Sequence, residues 1–446
     1  MSLSKNPAFN LKVVLQETNI AADTLRAWER RYGLPMPQRT AGGHRLYSQY
    51  DIETIKWLLA RQAEGLSISR AVDLWNEQTA SGADPLVDIT PLALTSAQTI
   101  PAIYSPNTNL DTLRTQWVAA CMKFNEVNSE QVLNQAFSIF PVESVCTEIL
   151  QKGMVEIGNL WYENNASVQQ EHFASGLAMR RLDALLSASP APSRNQTVLV
   201  GCPPNEWHTF TPLLLSLLLR RRGLTVIHLG ANVPAERFAD TVTKVKADLV
   251  VLVSQTLTSA AALQIIALTL SGLRMPVSFG GRIFNLRPDL VDHIPGHYLG
   301  NSIDSSLEEI EKLLKAKPRA HTLKTASQEY LAAHQAFVSK RTHIENTIKE
   351  LVQPLSISPE GLNTGIQFLG DNIAAALQLG DMEHVTDEIE WLKVLLQSHQ
   401  RPPQELAYFM ETYSQAVDQH INGQGEPIKV WLRKQASREV SKEEGI

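Results

Sequence analysis

Two short stretches bring together residue types that could act on one ligand. The first reads W-Y-E-N-N-A-S-V-Q-Q-E-H from Trp161 to His172, a tryptophan followed after nine residues by the pair Glu171-His172. The second is Glu206-Trp207-His208. A loop imidazole can ligate a metal through its neutral ring nitrogen when a carboxylate orients the ring through the other nitrogen. Glu206 and His208 are spaced for that role. The first stretch lies in a helical region. The second follows Thr197-Val198-Leu199-Val200-Gly201, an apolar β-branched run that reads as a buried parallel strand. Taken singly, Trp161 reads as a bundle core residue and His172 as an ordinary helix histidine. Together with the second stretch they suit a large planar ligand held between a helical cap and a strand-end loop.

The elements that must position these residues are legible on both sides. Strand-like runs fall at 197–200, 225–229, 249–254, 277–279 and 297–299, with helical segments at 211–222, 235–245 and 259–273 between them. Alternating strand and helix predicts a doubly wound α/β domain over 194–318, whose ligands sit beyond the carboxyl ends of the strands. Glu206 and His208 follow the first strand, Ser254-Gln255-Thr256 the third, and Gly280-Gly281-Arg282 the fourth. Paired glycines there would let a bulky group pass close to the backbone. Ahead of the sheet, 110–124, 129–137, 141–164 and 167–187 carry apolar residues at 3,4 spacing, which predicts a four-helix bundle over 108–188. Val142, Val145, Ile149, Met154, Ile157 and Leu160 form one of its stripes. Trp161 then falls near the end of the third helix, and Glu171 and His172 in the first turns of the fourth.

The chain is 446 residues long, too many for one core, and its 43% hydrophobic and 19% charged content is that of a globular protein. No window of 18 apolar residues predicts a membrane span, and no apolar run behind Met1-Ser2-Leu3 predicts a secretory signal. Cys121, Cys146 and Cys202 lack metal spacing and suit a reducing, cytoplasmic setting. The net charge of -6 is unevenly spread: residues 1–48 hold seven Lys/Arg against three Asp/Glu, whereas from residue 320 eleven face seventeen. A basic head on an acidic body is the pattern of a DNA-binding regulator. Within 1–78, helices are expected at 11–17 and at 22–32 with a cap near Asp23. A two-stranded wing follows around Gly42-Gly43, then helices at 51–64 and 67–77. Residues 79–107, rich in Pro, Ser, Thr and Ala, read as a flexible linker. Residues 319–446 read as an acidic all-α domain with helices at 323–352, 361–378, 385–398 and 404–420 and a short one near 427–435. Its histidines (His321, His334, His343, His384, His399, His420) are expected at surface or cap positions.

Two resemblances rest on these residues. Thr24-Leu25-Arg26-Ala27-Trp28-Glu29-Arg30-Arg31-Tyr32-Gly33-Leu34, with Arg39-Thr40-Ala41-Gly42-Gly43-His44-Arg45-Leu46-Tyr47, closely resembles the DNA-binding domain of MerR-family transcription regulators over about 75 residues. The resemblance implies a double-stranded DNA operator met by Thr24, Arg26, Trp28 and Arg31 of the recognition helix and by His44, Arg45 and Tyr47 of the wing. Trp28 and Tyr47 suit a core position as well as a phosphate contact. The bundle-plus-sheet pair resembles the cobalamin-binding module of methionine synthase and corrinoid proteins. Still more, it resembles the adenosylcobalamin-dependent photoreceptor repressors of the CarH/LitR type, which also carry a MerR head.

That second resemblance implies cobalt with a protein histidine as lower ligand within Glu-x-His-x-x-Gly. Glu206 and His208 match, while Thr211 stands where the family has Gly. It implies a nucleotide tail running past Ser254, Thr256, Gly280 and Gly281. It also implies a cap in which Trp161 covers the adenosyl group, Glu171 contacts it, and His172 approaches cobalt after light breaks the Co–C bond. The expected protein is a multidomain, non-enzymatic light-responsive regulator: winged helix-turn-helix, helical bundle, Rossmann-like cobalamin domain and C-terminal helices. Its expected assembly is a homo-oligomer, a tetramer in the dark. The tail is expected to serve oligomerisation or partner binding. Alternatives are a regulator sensing another cobalamin or a tetrapyrrole without light, and a corrinoid methyl carrier.

Overall fold

A computed structural model of the chain describes residues 4–18, 20–39, 43, 45–63, 68–80, 84–86, 109–163, 165–316, 323–352, 359–389 and 403–441. The chain forms two compact units, Met1–Pro106 and Asn107–Ile446.

The first unit contains β1 (Pro7–Asn10), α1 (Leu11–Thr18), α2 (Ala22–Tyr32), β2 (Gln38–Arg39), β3 (Arg45–Ser48), α3 (Gln49–Ala63) and α4 (Ile68–Ala80). The two expected wing strands pair, with Arg39 opposite Arg45, and β1 adds to β3 as a third, giving an antiparallel order β1-β3-β2. A four-residue strand that opens on Pro7 is too short to show an alternating pattern. α2 ends as expected at Gly33, whose φ of 69° returns its N–H to the Glu29 carbonyl. Its start differs from expectation, because Ala21 is the N-cap with no side-chain bond. Asp23 lies inside the first turn, paired with Arg26 at 3.3 Å. Val14, Leu25, Trp28, Tyr47, Ile52, Ile55 and Trp75 form the core. Of the expected linker, α4 takes residues up to Ala80 and Asp84 accepts the Tyr50 hydroxyl at 2.9 Å; residues 87–107 lie outside the described residues.

The second unit opens on α5 (Leu110–Cys121), α6 (Glu126–Ile139), α7 (Val142–Val145), a π-helical turn Cys146–Gln151, α8 (Lys152–Tyr162) and α9 (Val168–Ser187). α9 starts at a capping box in which Ser167 and Gln170 satisfy each other's backbone N–H. Gly153 lets α8 close on α5, since a Cβ there would sit 2.8 Å from the buried Trp117 ring. Next come β4 (Thr197–Gly201), α10 (Phe210–Arg221), β5 (Thr225–His228), α11 (Phe238–Val245), β6 (Leu249–Val253), α12 (Leu257–Gly272), β7 (Val277–Gly280), α13 (Arg282–Leu286), β8 (His297–Tyr298) and α14 (Ile303–Lys315). All five strands are parallel in the order β5-β4-β6-β7-β8. The order reverses between β4 and β6, so the crevice of such a sheet opens there, beyond the carboxyl ends.

The sheet is apolar on both faces, as parallel sheets are. Leu199, Val250 and Leu252 point into one core; Val198, Val200, Leu249 and Val251 point into another. The second core joins α10 and α14 to the helical bundle. α10 is buried continuously from Pro212 to Leu219, which explains why its sequence is apolar all round. The first core joins α11 and α12 to the C-terminal helices α15 (Gln328–Leu351), α16 (Pro359–Leu379), α17 (Pro403–Ile421) and α18 (Glu426–Ser441). α11 and α12 therefore cover the second face of the sheet, and the C-terminal helices pack on α12 from outside. Gln378 Nε2 donates to the Ala261 carbonyl at 2.8 Å and to Gln264 Oε1 at 2.9 Å. Arg287 pairs with Asp387 at 2.8 Å and donates to the Glu383 carbonyl at 2.7 Å. His384, expected at the surface, is 2% exposed in a 3-10 turn (Met382–Val385), because that turn is pressed onto the sheet unit. The helix expected at 385–398 lies outside the described residues beyond 389. Among the described residues no helix is long and apolar enough to cross a membrane.

Candidate functional site

The residues behind β4 form a turn held at every step. Cys202 N–H donates to the Gly230 carbonyl at 3.0 Å and Val233 N–H to the Cys202 carbonyl at 3.0 Å. Asn205, at φ 65°, donates its N–H to Asn232 Oδ1 at 2.9 Å, and Asn232 N–H returns to the Glu206 carbonyl at 2.8 Å. Asparagine is the side-chained residue that best tolerates the left-handed region.

Glu206 is fully buried, and its carboxylate accepts from four donors. His208 N–H (3.0 Å) and His208 Nδ1 (2.6 Å) reach Oε1; Gln255 N–H (2.6 Å) and Ser259 Oγ (2.8 Å) reach Oε2. The carboxylate thus ties the end of β4 to the end of β6, across the point where strand order reverses. Burial pushes the Glu206 carboxyl up, but the bonds from His208, Gln255 and Ser259 together outweigh it and hold it below its usual range. The Glu206 hydrogen bond also raises His208 above the ordinary histidine value; burial opposes it, Glu171 adds to it and Arg282 subtracts. With Nδ1 committed as a donor to the carboxylate, the other lone-pair nitrogen, Nε2, is left outward on a side chain that is 67% exposed. No cluster of three or more metal-ligating side chains occurs among the described residues. A metal carried in its own macrocycle needs only the one imidazole.

The remaining strand-end residues divide. Ser254 is buried, and its Oγ has no partner among the described residues. Its N–H donates to the Gly280 carbonyl at 3.0 Å. Gly281 has φ 124°, and a Cβ there would lie 1.9 Å from the Ser254 carbonyl oxygen. The space expected for a ligand beside this glycine is taken by the chain's own backbone. Thr256 is the N-cap of α12, its hydroxyl accepting from Ser259 N–H at 3.2 Å. In the bundle, Trp161 is half-buried at the end of α8, and Glu171 holds His172 Nδ1 at 2.6 Å while that imidazole stays 75% exposed. Met179 accepts the Thr209 hydroxyl at 3.3 Å, joining α9 to the loop that carries His208.

In the head, Thr24, Arg26 and Arg31 are exposed on α2 as expected. Trp28 and Tyr47 are not surface contacts: they are 5% and 0% exposed and pack the core. The Tyr47 hydroxyl donates to Glu29 Oε1 at 2.6 Å, and burial together with that bond raises its pKa. Arg45 is turned inward to Glu29 Oε2 at 2.7 Å. Glu29, which sequence reasoning passed over as one acid in a basic helix, therefore pins the wing to α2. Arg30 and Arg39 are further exposed cations of the head. His44 lies outside the described residues. Gln255 and Ser259 were also missed as partners of Glu206; a capping serine gives no sequence signal for a second role.

Residues 9–78 match the MerR HTH family regulatory protein model, and residues 113–186 and 196–300 match two B12 binding domain models. The class is thus a transcription regulator with a MerR-type head and a cobalamin-binding body. The chain is 30% identical over 246 residues to the HTH-type transcriptional repressor CarA of Myxococcus xanthus, covering 54% of this chain and 75% of the relative. It is 28% identical over 248 residues to CarH of the same organism, covering 54% and 77%. The chain belongs to the family of B12-binding, MerR-type transcriptional repressors that includes CarA and CarH. Among solved structures it is similar to the monomethylamine corrinoid protein of Methanosarcina barkeri, at 18% identity and a TM-score of 0.39 over 46% of this chain and 97% of the other.

Proposed function

We propose that this regulator uses adenosylcobalamin as a light sensor controlling oligomerisation and DNA binding. The observation that carries the reading is the Glu206–His208 pair: a buried carboxylate fixes the ring by Nδ1, beyond the carboxyl end of β4, and the His208 side chain stays 67% exposed. The residues present fit a corrinoid, since the carboxyl ends of the strands offer one exposed imidazole and a buried Ser254 Oγ with no partner among the described residues. His208 would hold the metal, Ser254 and Gly280 would flank the tail, and Trp161, Glu171 and His172 would contact the group from the bundle. When bound, adenosylcobalamin supplies a cobalt–carbon bond that light breaks. His172 then offers a second exposed ring nitrogen on the cap side.

The bundle and the sheet share one core, so a ligand gripped by both favours one arrangement of the pair, a two-state bias set by differential contacts. Oligomers, tetrameric in the dark, place several heads on one operator and raise affinity through effective concentration. Thr24, Arg26 and Arg31 contact the DNA, and Glu29 holds the wing. The domains follow as 1–78 head, 79–107 linker, 108–188 cap, 194–318 cobalamin domain and 319–446 C-terminal helices. The test is the absorption spectrum of purified protein with adenosylcobalamin, wild type beside His208→Ala, followed by gel filtration before and after green light. The expected result is a His208-dependent spectral change and a light-dependent shift in elution. A colourless wild type, or identical elution in both states, overturns the proposal.

A further inference from the structure

Trp207 stands between the two residues that define the site, and it is 69% exposed. Every other described tryptophan is buried or half-buried: Trp28, Trp57, Trp75, Trp117 and Trp431 are at most 6% exposed, and Trp161 is half-buried. An indole is the side chain with most to gain by leaving water. Its exposure is not that of a loose loop. The turn is fixed by the Cys202–Gly230, Asn205–Asn232 and Glu206–Asn232 bonds, and Glu206 itself is anchored to Gln255 and Ser259. A rigid turn thus carries an outward imidazole and an outward indole as consecutive residues.

We infer that Trp207 is a corrinoid-binding residue that packs its indole against the apolar rim of the macrocycle, adjoining the His208 ligand. This rests on the reading proposed above, in which the crevice takes a corrinoid. The ligand's chemistry calls for both groups, since a corrin presents a metal at its centre and methyl-bearing carbon at its edge. Because the turn is already ordered, the contact needs little conformational entropy, and most of the buried area appears as affinity. Trp207 is missing from the expected site because Glu-x-His leaves its middle position open.

The test uses full-length wild type, Trp207→Ala and Trp207→Phe titrated with hydroxocobalamin and with cobinamide, which lacks the nucleotide tail, by calorimetry at several temperatures. For Trp207→Ala the Kd should rise about ten- to a hundredfold for both corrinoids, as expected for losing ~100 Å² of apolar burial. The heat-capacity change of binding should become less negative. Trp207→Phe should recover most of the affinity, and the melting temperature of the ligand-free variants should match wild type. Wild-type protein that binds neither corrinoid overturns the parent reading. Wild-type binding with an unchanged Kd in Trp207→Ala overturns this inference alone. A loss confined to hydroxocobalamin, or a changed oligomeric state without a changed Kd, likewise overturns it, placing the indole on the tail or between copies.

Discussion

At the scale of single residues, Glu206 shows why a carboxylate and not its amide is required. All four of its partners are donors, so an amide must turn its NH2 toward an N–H or O–H. Glu206→Gln should cost about 1–3 kcal/mol of stability through the unsatisfied groups, measured as a fall in Tm. It should also free the His208 ring to rotate and weaken corrinoid binding in a spectral titration. Gly281→Ala should be worse, since its Cβ meets the Ser254 carbonyl at 1.9 Å; expression without a cooperative melting transition is the expected outcome. In the head, Arg26→Ala should lower operator affinity and reduce the salt slope by about one ion, whereas Tyr47→Phe should cost about 1 kcal/mol of stability and leave that slope alone. Filter binding at several salt concentrations and thermal melts separate the two. The Glu206–His208 pair was legible because a loop Glu-x-His behind a strand has few other uses. Its partners Gln255 and Ser259 lie about fifty residues away, joined only by a topology that no local pattern encodes.

At the scale of elements, regular periodicity was readable and special geometry was not. The five sheet strands stand within a residue or so of their expected limits, because runs such as Leu249–Val253 are buried on both sides and must be wholly apolar. The π-helical turn at Cys146–Gln151 and the short β1 left no comparable trace. The 3-10 turn at Met382–Val385 was misread through His384, whose two ring nitrogens are buried without hydrogen-bond partners. Burial lowers its pKa against the raising influence of Asp289, 3.5 Å away, and of Asp381, with Arg287 and His293 adding to the lowering. His293, whose ring centroid lies 6.4 Å from that of His384, is lowered by burial as well. A histidine with a depressed folded value is neutral when native, while the unfolded chain takes up its proton near pH 6.5. Its stability contribution is therefore full above about pH 6.5 and is lost as pH falls below it. Thermal melts at pH 7.5 and 5.5 should show the acid loss, and His384→Leu should make it smaller.

For the molecule as a whole, the C-terminal helices are not an appendage on the cobalamin unit, as their sequence suggested, but a further layer packed on α12. Ile266 and Leu270 of α12 and Ile373, Leu377 and Met410 of these helices are nearly or fully buried in one core. Ending the chain after residue 316 should uncover that surface, lower Tm and produce concentration-dependent association. A truncated protein that melts like the full chain would show the two cores to be independent. Sequence reading placed these helices but not their docking, because an amphipathic stripe says that a face is buried and not against what.

The strands that divide the two cores make a party wall with tenants on both sides. Side chains alternate across it, so Val200 and Leu252 belong to different rooms although their strands are neighbours. News of an occupant in the crevice must go around the wall, over its carboxyl-end coping, where Glu206 spans β4 and β6 and where the first residues of α13 meet the Gln255 side chain.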